Sequence, residues 1–251
     1  MTIEVENLSK KFDRNLVLNN LNLMVKQGET VVILGRSGSG KSVLLRQILG
    51  LEKPDQGKVI VNGITISDLK EGEIYQVIHD MGMLFQASAL FDSMTVGENT
   101  AFYLKQHTQH TQKEIDLLVN EALKIVGLEE KKNMMPANLS GGMRKRAALA
   151  RLIVYRPKIL LYDEPTTGLD PITAMQINEL IVKTQKELNA TSIVVTHDIC
   201  SAFYVADRIA LNHEGKIAYI ATKEEFIKID DPIVQRFLKH AIPMTMGKYG
   251  G

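Results

Sequence analysis

The chain has 251 residues, 45% of them hydrophobic and 24% charged, with a formal net charge of +1. This composition is ordinary for a folded globular protein, and the length suits one or two domains around a substantial core. The near-neutral balance excludes a global field that attracts nucleic acid or an anionic membrane, so no nucleic-acid partner is expected. No apolar run approaches the roughly 18 residues needed to cross a bilayer.

The N-terminal stretch and the cysteine content indicate a cellular setting. The stretch MTIEVENLSKKF lacks the apolar core of a secretory signal and carries acidic residues that are unusual in a transit peptide. Cys200 is the only cysteine, which excludes an intrachain disulfide and fits a reducing cytosol. We therefore expect a cytoplasmic protein that reaches any membrane through a partner.

Short β-rich runs bounded by Gly, Asn and Pro predict strands in the first third of the chain. These runs are TIEVENL, LNLMV, VVILG, KVIVNG and MGMLFQ. A polar middle region follows and predicts helices. In it Thr111 and Glu114 have the spacing of a capping box, and an apolar helix face then continues until Gly127.

Apolar strands alternate with helices in the last third of the chain. The run KILLYDE predicts a buried strand, a helix follows from about Pro171 to Leu188, and TSIVVTHD predicts another strand. This alternation predicts a parallel sheet covered on both faces, with the helical middle inserted into it. A hairpin, RIALNHEGKIAYI, and a helix, DPIVQRFLKH, come next. Residues 241–251 show no periodicity and are expected to be extended or mobile.

The stretch VVILGRSGSGKS has the order of strand, glycine-rich loop and helix that a phosphate-binding P-loop needs. Its loop residues are Gly35, Arg36, Ser37, Gly38, Ser39, Gly40, Lys41 and Ser42. Bare backbone allows several N–H groups to converge on phosphate oxygens. Lys41 would neutralise the β- and γ-phosphates, and the Ser42 hydroxyl would bind Mg²⁺. A plain glycine-rich turn is the alternative, which the flanking strand and helix disfavour.

Two carboxylates follow the buried strand of KILLYDE. Asp163, at the strand end, can hold the Mg²⁺ shell, and Glu164 is free to act as base on an attacking water. The alternative is an acidic pair in solvent. The P-loop upstream favours the catalytic interpretation.

With both motifs placed, the chain resembles the ATP-binding cassette (ABC) ATPases over residues 1 to about 240. LSGGM, at residues 139–143, resembles the family's signature motif, whose usual form ends in Gln. Gln86 in LFQ resembles the Q-loop glutamine, and His197 in VTHD resembles the switch histidine. TTGLDP resembles the D-loop, with Asp170, and Phe12 matches the aromatic residue that stacks on adenine.

The resemblance implies a fold and a domain organisation. The fold is α/β, a P-loop NTPase of the ABC ATPase type. It has a mixed RecA-like core sheet, an inserted α-helical subdomain and an N-terminal antiparallel β subdomain. Residues 1–240 would form a single ABC ATPase domain, with its core in 1–86 and 156–240 and the helical subdomain at about 87–155. Residues 241–251 would be a C-terminal tail.

The resemblance also implies a role for each motif residue, with ATP and Mg²⁺ as cofactors. Glu164 and His197 would be catalytic, and the metal ligands would be Ser42, Gln86 and Asp163. The nucleotide-binding set would be the P-loop residues together with Phe12, Ser140, Gly141, Gly142 and Asp170. Ordinary structural roles remain the alternative for Gln86 and His197 as polar residues at strand ends, and for Phe12 as a core aromatic.

The signature stretch has a physical interpretation in this family. Ser140 is a good N-cap, and Gly141 and Gly142 allow a backbone and a nucleotide to approach closely. The helix N-terminus then faces an anion, which in the family is ATP bound to the partner subunit. A homodimer with two composite ATP sites is therefore implied. We hypothesise that at least one of the three cations at residues 144–146 neutralises nucleotide charge or binds an acidic partner surface. The open alternative is that all three lie on a solvent-exposed helix face.

The region LSGGMRKRAALAR and the stretch after Gln86 resemble the Mla-type group, which serves phospholipid transport between inner and outer membranes. This resemblance implies a transmembrane permease, an Mce-domain lipid-binding protein and a small accessory subunit as partners. It also implies a position on the cytoplasmic face of the bacterial inner membrane. The alternatives are the ATPase of a polar-solute importer and a soluble cassette of DNA repair or translation. Met143, where importers usually have Gln, favours the lipid transporter.

Overall fold

A computed structural model describes the backbone of residues 1–245 and the side chains of this range except those of residues 71 and 240–245. The described chain forms two compact units, residues 1–78 together with residues 191–245, and residues 79–190. The second unit contains the predicted helical region and also strands on either side of it. The subdomain boundaries drawn from the sequence stay a prediction.

The strands and helices follow one another in the order expected of an α/β chain. The strands are β1 (Ile3–Phe12), β2 (Asn15–Val25), β3 (Thr30–Leu34), β4 (Gln56–Val61), β5 (Ile64–Thr65), β6 (Met81–Leu84), β7 (Ile159–Asp163), β8 (Thr191–Thr196), β9 (Arg208–His213) and β10 (Lys216–Thr222). The helices are α1 (Lys41–Ile48), α2 (Glu71–Ile78), α3 (Val96–His107), α4 (Gln112–Ile125), α5 (Gly141–Ile153), α6 (Pro171–Leu188), α7 (Ile199–Val205), α8 (Lys223–Phe226) and α9 (Pro232–Thr245). Within the described part of the chain, none of these helices has the length and apolar character of a membrane span.

The first unit holds an antiparallel sheet and a mixed sheet. The antiparallel sheet has the order β2-β1-β4-β5. In the mixed sheet β3 lies between β8 and β9 and is parallel to both, while β10 is antiparallel to β9. Every residue of β3 and β8 is buried, as is usual for parallel strands covered on both faces. Leu34 pairs with Thr196, so the chain leaves both strands at the same edge of the sheet.

The second unit places two motifs at one edge in the same way. Strands β6 and β7 are parallel, and Leu84 pairs with Tyr162. The segment that contains Gln86 therefore leaves the sheet beside the Asp163–Glu164 pair. Together with the first unit, this arrangement confirms the predicted fold class, a mixed sheet with a helical region and an N-terminal antiparallel sheet.

The helical capping signals in the sequence are confirmed. Thr111 caps α4, its hydroxyl accepting from the Glu114 N–H while the Glu114 carboxylate accepts from the Thr111 N–H. Most of the predicted apolar face is buried along α4, with Leu118 half-buried, and Gly127 follows the helix end with a left-handed φ of 68°. Two reciprocal hydrogen bonds at the first turn fix where this helix begins.

The expectation of an extended tail is wrong for residues 241–245. Helix α9 continues to Thr245, five residues beyond the predicted end at His240. The rest of the tail prediction, at residues 246–251, lies outside the described residues.

Candidate functional site

The P-loop of the first unit is shaped by close contacts at its glycines. A Cβ added at Gly35 would lie 2.9 Å from the Asn212 carbonyl oxygen. Gly40 has a φ of 88°, and a Cβ there would lie 2.8 Å from Cγ1 of Val17. Both positions therefore require glycine, one for space and one for space and backbone conformation. Gly38, in contrast, has open space around it, at the exposed part of the loop.

The loop curls around the ammonium group of Lys41. Its Nζ donates hydrogen bonds to the carbonyl oxygens of Gly35, at 2.8 Å, and Arg36, at 2.9 Å, and the residue is only 5% exposed. Ser42 follows in the first turn of α1 and is half-buried. The geometry suits phosphate, because a preplaced cation lies beside a helix N-terminus with its N–H groups.

Asn212 is a P-loop contact that sequence reasoning missed. From the buried end of β9, its Nδ2 donates to the Ser39 carbonyl oxygen at 2.8 Å. This hydrogen bond braces the loop from behind. No sequence signal pointed to it, because 173 residues separate the two positions and only the strand order of the sheet brings them together.

His197 and Phe12 lie at exposed positions of the first unit. His197 follows β8 directly, and Gly35, which follows β3, donates to the carbonyl oxygen of Thr196 at 3.2 Å. The segment that begins at His197 therefore leaves the sheet beside the start of the P-loop. Phe12 ends β1 and is 41% exposed, with the Lys10 ammonium 5.7 Å from its ring centroid. An exposed ring at a strand end agrees with a stacking role better than with a core role.

In the second unit, Asp163 and Glu164 leave β7 in a constrained geometry. Both residues are only 7% exposed. Glu164 has a φ of 47°, a left-handed conformation that costs a non-glycine residue roughly 1–2 kcal/mol. The Thr167 hydroxyl donates to its Oε2 at 3.0 Å. A buried carboxylate on a strained backbone that accepts from the Thr167 hydroxyl is typical of a functional group rather than of a solvent-exposed acidic pair.

The signature residues form the start of α5. The Ser140 hydroxyl accepts from the Met143 N–H at 3.3 Å, which confirms the predicted N-cap. Gly141 is exposed, but a Cβ at Gly142 would lie 2.4 Å from Cγ2 of Thr173. The second glycine thus has a packing reason within this chain, which the sequence interpretation did not include. Close approach by a nucleotide stays a prediction for both glycines.

Asp170 has a structural partner set of its own. Its Oδ1 accepts from the N–H groups of Ile172 and Thr173, and Oδ2 accepts from the Thr173 hydroxyl, so Asp170 caps α6. These hydrogen bonds, with that of the Thr173 hydroxyl the largest, lower the pKa of the Asp170 carboxyl. The carboxylate is therefore ionised at neutral pH, and its hydrogen bonds fix the start of α6.

The three cations after Met143 are all hydrogen-bonded within the chain. Arg144 donates to the Leu139 carbonyl oxygen at 2.8 Å, and Arg146 donates to the Val126 carbonyl oxygen at 3.1 Å.

Lys145 is buried, with only 5% of the residue exposed. Its ammonium group donates to the backbone carbonyl oxygen of Gln86, which is itself an exposed residue. Burial lowers the pKa of Lys145, against the attraction of Asp163 and Glu164. A solvated face is therefore wrong for Lys145, and direct contact of any of the three with nucleotide stays a prediction.

These features define a P-loop nucleotide-binding protein of the ATP-binding cassette type. The family model described as ABC transporter matches residues 18–167, more than half of the chain. The chain therefore belongs to the ABC transporter family and contains its ATP-binding, ATPase domain.

Relatives named for three kinds of transport match over most of the chain. "Probable ribonucleotide transport ATP-binding protein mkl" of Mycobacterium tuberculosis is 39% identical over 95% of this chain, which spans 66% of that protein's length. The phospholipid transport ATP-binding protein MlaF of Haemophilus influenzae is 41% identical over 94% of this chain and 90% of its own. The methionine import protein MetN of Clostridium tetani is 42% identical over 90% of this chain and 71% of its own.

A solved structure is similar in both sequence and fold. It is the ATP-binding cassette MJ0796, a dimer in a post-hydrolysis state bound to ADP and Pi. Its TM-score is 0.80 at 35% identity, with 88% of this chain and 98% of that chain covered.

Proposed function

We propose that this chain is the ATP-hydrolysing subunit of a bacterial transporter that moves phospholipid between the inner and outer membranes with an Mce-type system. The observation that carries the proposal is the match to MlaF, which extends over 90% of that protein's length. Met143 in the signature motif supports it. The alternative is the ATPase of a polar-solute importer of the amino-acid type, which the similarity to MetN supports.

We infer that two copies of the chain enclose two ATP molecules. The dimeric state of MJ0796 supports this inference, and the exposed Gly141 at the tip of α5 leaves room for an incoming nucleotide. We assign the ATPase domain to residues 1–240, with the helical subdomain at about 87–155. It would act on the cytoplasmic face of the inner membrane with a permease, an Mce-domain protein and a small accessory subunit.

In the proposed reaction, Glu164 takes a proton from the water that attacks the γ-phosphate. Lys41 and the P-loop N–H groups bind the phosphates, and His197 stabilises charge that develops there. Phe12 stacks on the adenine, and Ser140, Gly141, Gly142 and Asp170 serve the ATP of the partner copy. The strained backbone of Glu164 and its hydrogen bond from Thr167 hold the base in one orientation before substrate binds.

The residues that we assign to Mg²⁺ fit the ion by their chemistry. Ser42, Gln86 and Asp163 offer a hydroxyl, an amide and a carboxylate oxygen, the hard donors that Mg²⁺ prefers. The buried Asp163 supplies the negative charge of the set. Bound there, the ion would neutralise phosphate charge.

An aromatic groove in the second unit supports docking of a permease helix. The groove has a volume of about 240 Å³ and is lined by Met83, Phe91, Phe102, Tyr103, Arg151, Tyr155 and their neighbours on α5. Phe91 is 41% exposed and packs 4.7 Å from the Phe102 ring, while the Tyr103 and Tyr155 rings stack at 3.9 Å. Exposed aromatic side chains on a rigid frame are typical of anchor sites for a partner helix.

Replacing Phe91 with Ala is expected to weaken permease-dependent stimulation of ATP hydrolysis by about tenfold, because an aromatic anchor contributes roughly 1–2 kcal/mol or more. The measurement is the ATPase rate of the complex in lipid nanodiscs. Leu117→Ala is the matched control, since Leu117 is an exposed apolar residue of α4 outside the groove. Equal stimulation of the Phe91 variant and the control would contradict docking at this groove.

Replacing Met143 with Gln is expected to leave ATPase activity within about threefold of the original. The half-buried Met143 cannot donate as Gln does, so recognition falls to Ser140 and the glycine backbone. The measurement is the ATP concentration dependence of hydrolysis. A change of about tenfold in nucleotide affinity would show that the side chain itself takes part.

The composition of the detergent-solubilised complex decides between the two transporters. Native purification through this chain is expected to recover a permease, an Mce-domain protein and bound phospholipid. Recovery of a periplasmic solute-binding protein without lipid would favour the importer. A lipid extract of the purified complex, compared with that of an unrelated membrane protein from the same cells, controls for carry-over.

A further inference from the structure

Two cations on α5 bind the backbone of one short segment, residues 86–89, which we call the Q-loop segment. Lys145 Nζ donates to the carbonyl oxygen of Gln86. Arg151 donates through Nη1 to the carbonyl oxygen of Ala89 at 2.7 Å and through Nη2 to that of Ser88 at 3.2 Å. Both ends of the segment are thus attached to the helix that starts at the signature motif.

The Q-loop segment has a conformation that needs such support. Ser88 and Ala89 have φ angles of 65° and 48°, and each left-handed residue costs roughly 1–2 kcal/mol without a glycine. The Ser88 N–H donates to the Phe85 carbonyl oxygen at 2.9 Å, which closes a turn. A strained backbone of this kind persists only where its surroundings hold it.

The two cations act in a poorly solvated environment, which strengthens their hydrogen bonds. Lys145 is buried, and burial lowers the pKa values of both Lys145 and Arg151 from their ordinary values. The Arg151 guanidinium also lies 5.8 Å from the ring centroid of Phe91, in the aromatic groove. Arg151 therefore contacts both the Q-loop segment and the wall of the groove, while Lys145 holds the other end of the segment.

We propose that Lys145 and Arg151 form a clamp that fixes the Q-loop segment to α5 and positions the Gln86 side chain for the ATPase reaction. Both are positioning residues. Arg151 contacts Phe91 in the aromatic groove and also the Q-loop segment. A permease helix that docks in the groove therefore displaces Gln86 together with the N-terminal end of α5. This last step rests on the proposed function, since it requires a permease in the groove.

Hydrogen exchange of the purified full-length chain tests the clamp without any partner. Lys145→Met keeps an unbranched side chain, one heavy atom shorter, and removes the donor, so exchange of the Ser88 and Ala89 amides is expected to accelerate about tenfold or more. Lys145→Arg keeps a donor and is expected to remain within about threefold. Lys183→Met, at an exposed cation of α6, is the control. Unchanged exchange at Ser88 and Ala89 in Lys145→Met would overturn the clamp.

Enzyme kinetics distinguish positioning of Gln86 from a merely structural role of Lys145. In the complex, Lys145→Met is expected to lower kcat about tenfold while KM for MgATP stays within about twofold. In a Gln86→Ala background the same substitution is expected to add almost nothing, because the group that it positions is already gone. Equal losses in both backgrounds would refute the positioning of Gln86.

The two proposals fail in different ways. If the permease does not stimulate the unmodified chain, the docking function is wrong, and the exchange result alone decides the clamp. If stimulation is normal but Arg151→Lys and Lys145→Met leave both exchange and stimulation unchanged, the clamp is wrong and docking stands. Thermal unfolding of each variant identifies any general loss of fold. If Lys145→Met is unfolded, the original chain is compared with Lys145→Arg instead.

Discussion

Replacing Glu164 with Gln is expected to reduce ATP turnover by about a hundredfold or more while ATP binding stays within a few-fold. A positioned general base contributes on the order of 10²–10⁴ in rate, and the amide cannot accept the proton of the attacking water. The Gln Oε1 can still accept from the Thr167 hydroxyl, which lies 3.0 Å from the present carboxylate. The substitution therefore removes the chemistry and keeps the local packing.

Two measurements separate binding from turnover in this variant. Single-turnover hydrolysis gives the chemical step, and size-exclusion chromatography with MgATP is expected to show a trapped dimer. Glu179→Gln is the control, because Glu179 is an exposed carboxylate on α6. Turnover at the original rate in Glu164→Gln would show that another group is the base.

Replacing Lys41 with Ala is expected to weaken ATP binding by about tenfold to a hundredfold. A charge-assisted contact to phosphate contributes roughly 1.5–3 kcal/mol, and Ala also leaves the carbonyl oxygens of Gly35 and Arg36 without this donor. The loop then loses the group around which it folds. Equilibrium binding of a fluorescent ATP analogue measures the change.

The control for Lys41 must separate lost affinity from lost fold. Lys58→Ala removes an exposed cation that pairs with Glu6 at 3.1 Å and is expected to bind ATP normally. Thermal unfolding without nucleotide shows how far the Lys41 variant is destabilised. Unaltered affinity in a folded Lys41→Ala protein would exclude the ammonium from phosphate binding.

Local patterns in the sequence determined the motifs and much of the secondary structure. Ser140 and the Thr111–Glu114 pair announce helix starts because a side chain and a backbone group three residues apart satisfy each other. The P-loop is recognisable because glycines, a lysine and a serine must follow one another closely to surround a phosphate. The fold class follows from the same local signals, since buried strands that alternate with helices form few architectures.

Only the tertiary structure decided which residues support these motifs. Lys145 carries no local sign of burial, and its partner Gln86 lies 59 residues away. Gly142 packs against Thr173, and the Asn212 amide donates a hydrogen bond to the Ser39 carbonyl oxygen. No sequence pattern predicts either contact. Such contacts depend on which strands and helices become neighbours, and this depends on burial across the whole chain rather than on adjacent residues. The sequence alone therefore predicted the motif residues, while the residues that hold them in place were identified only from the tertiary structure.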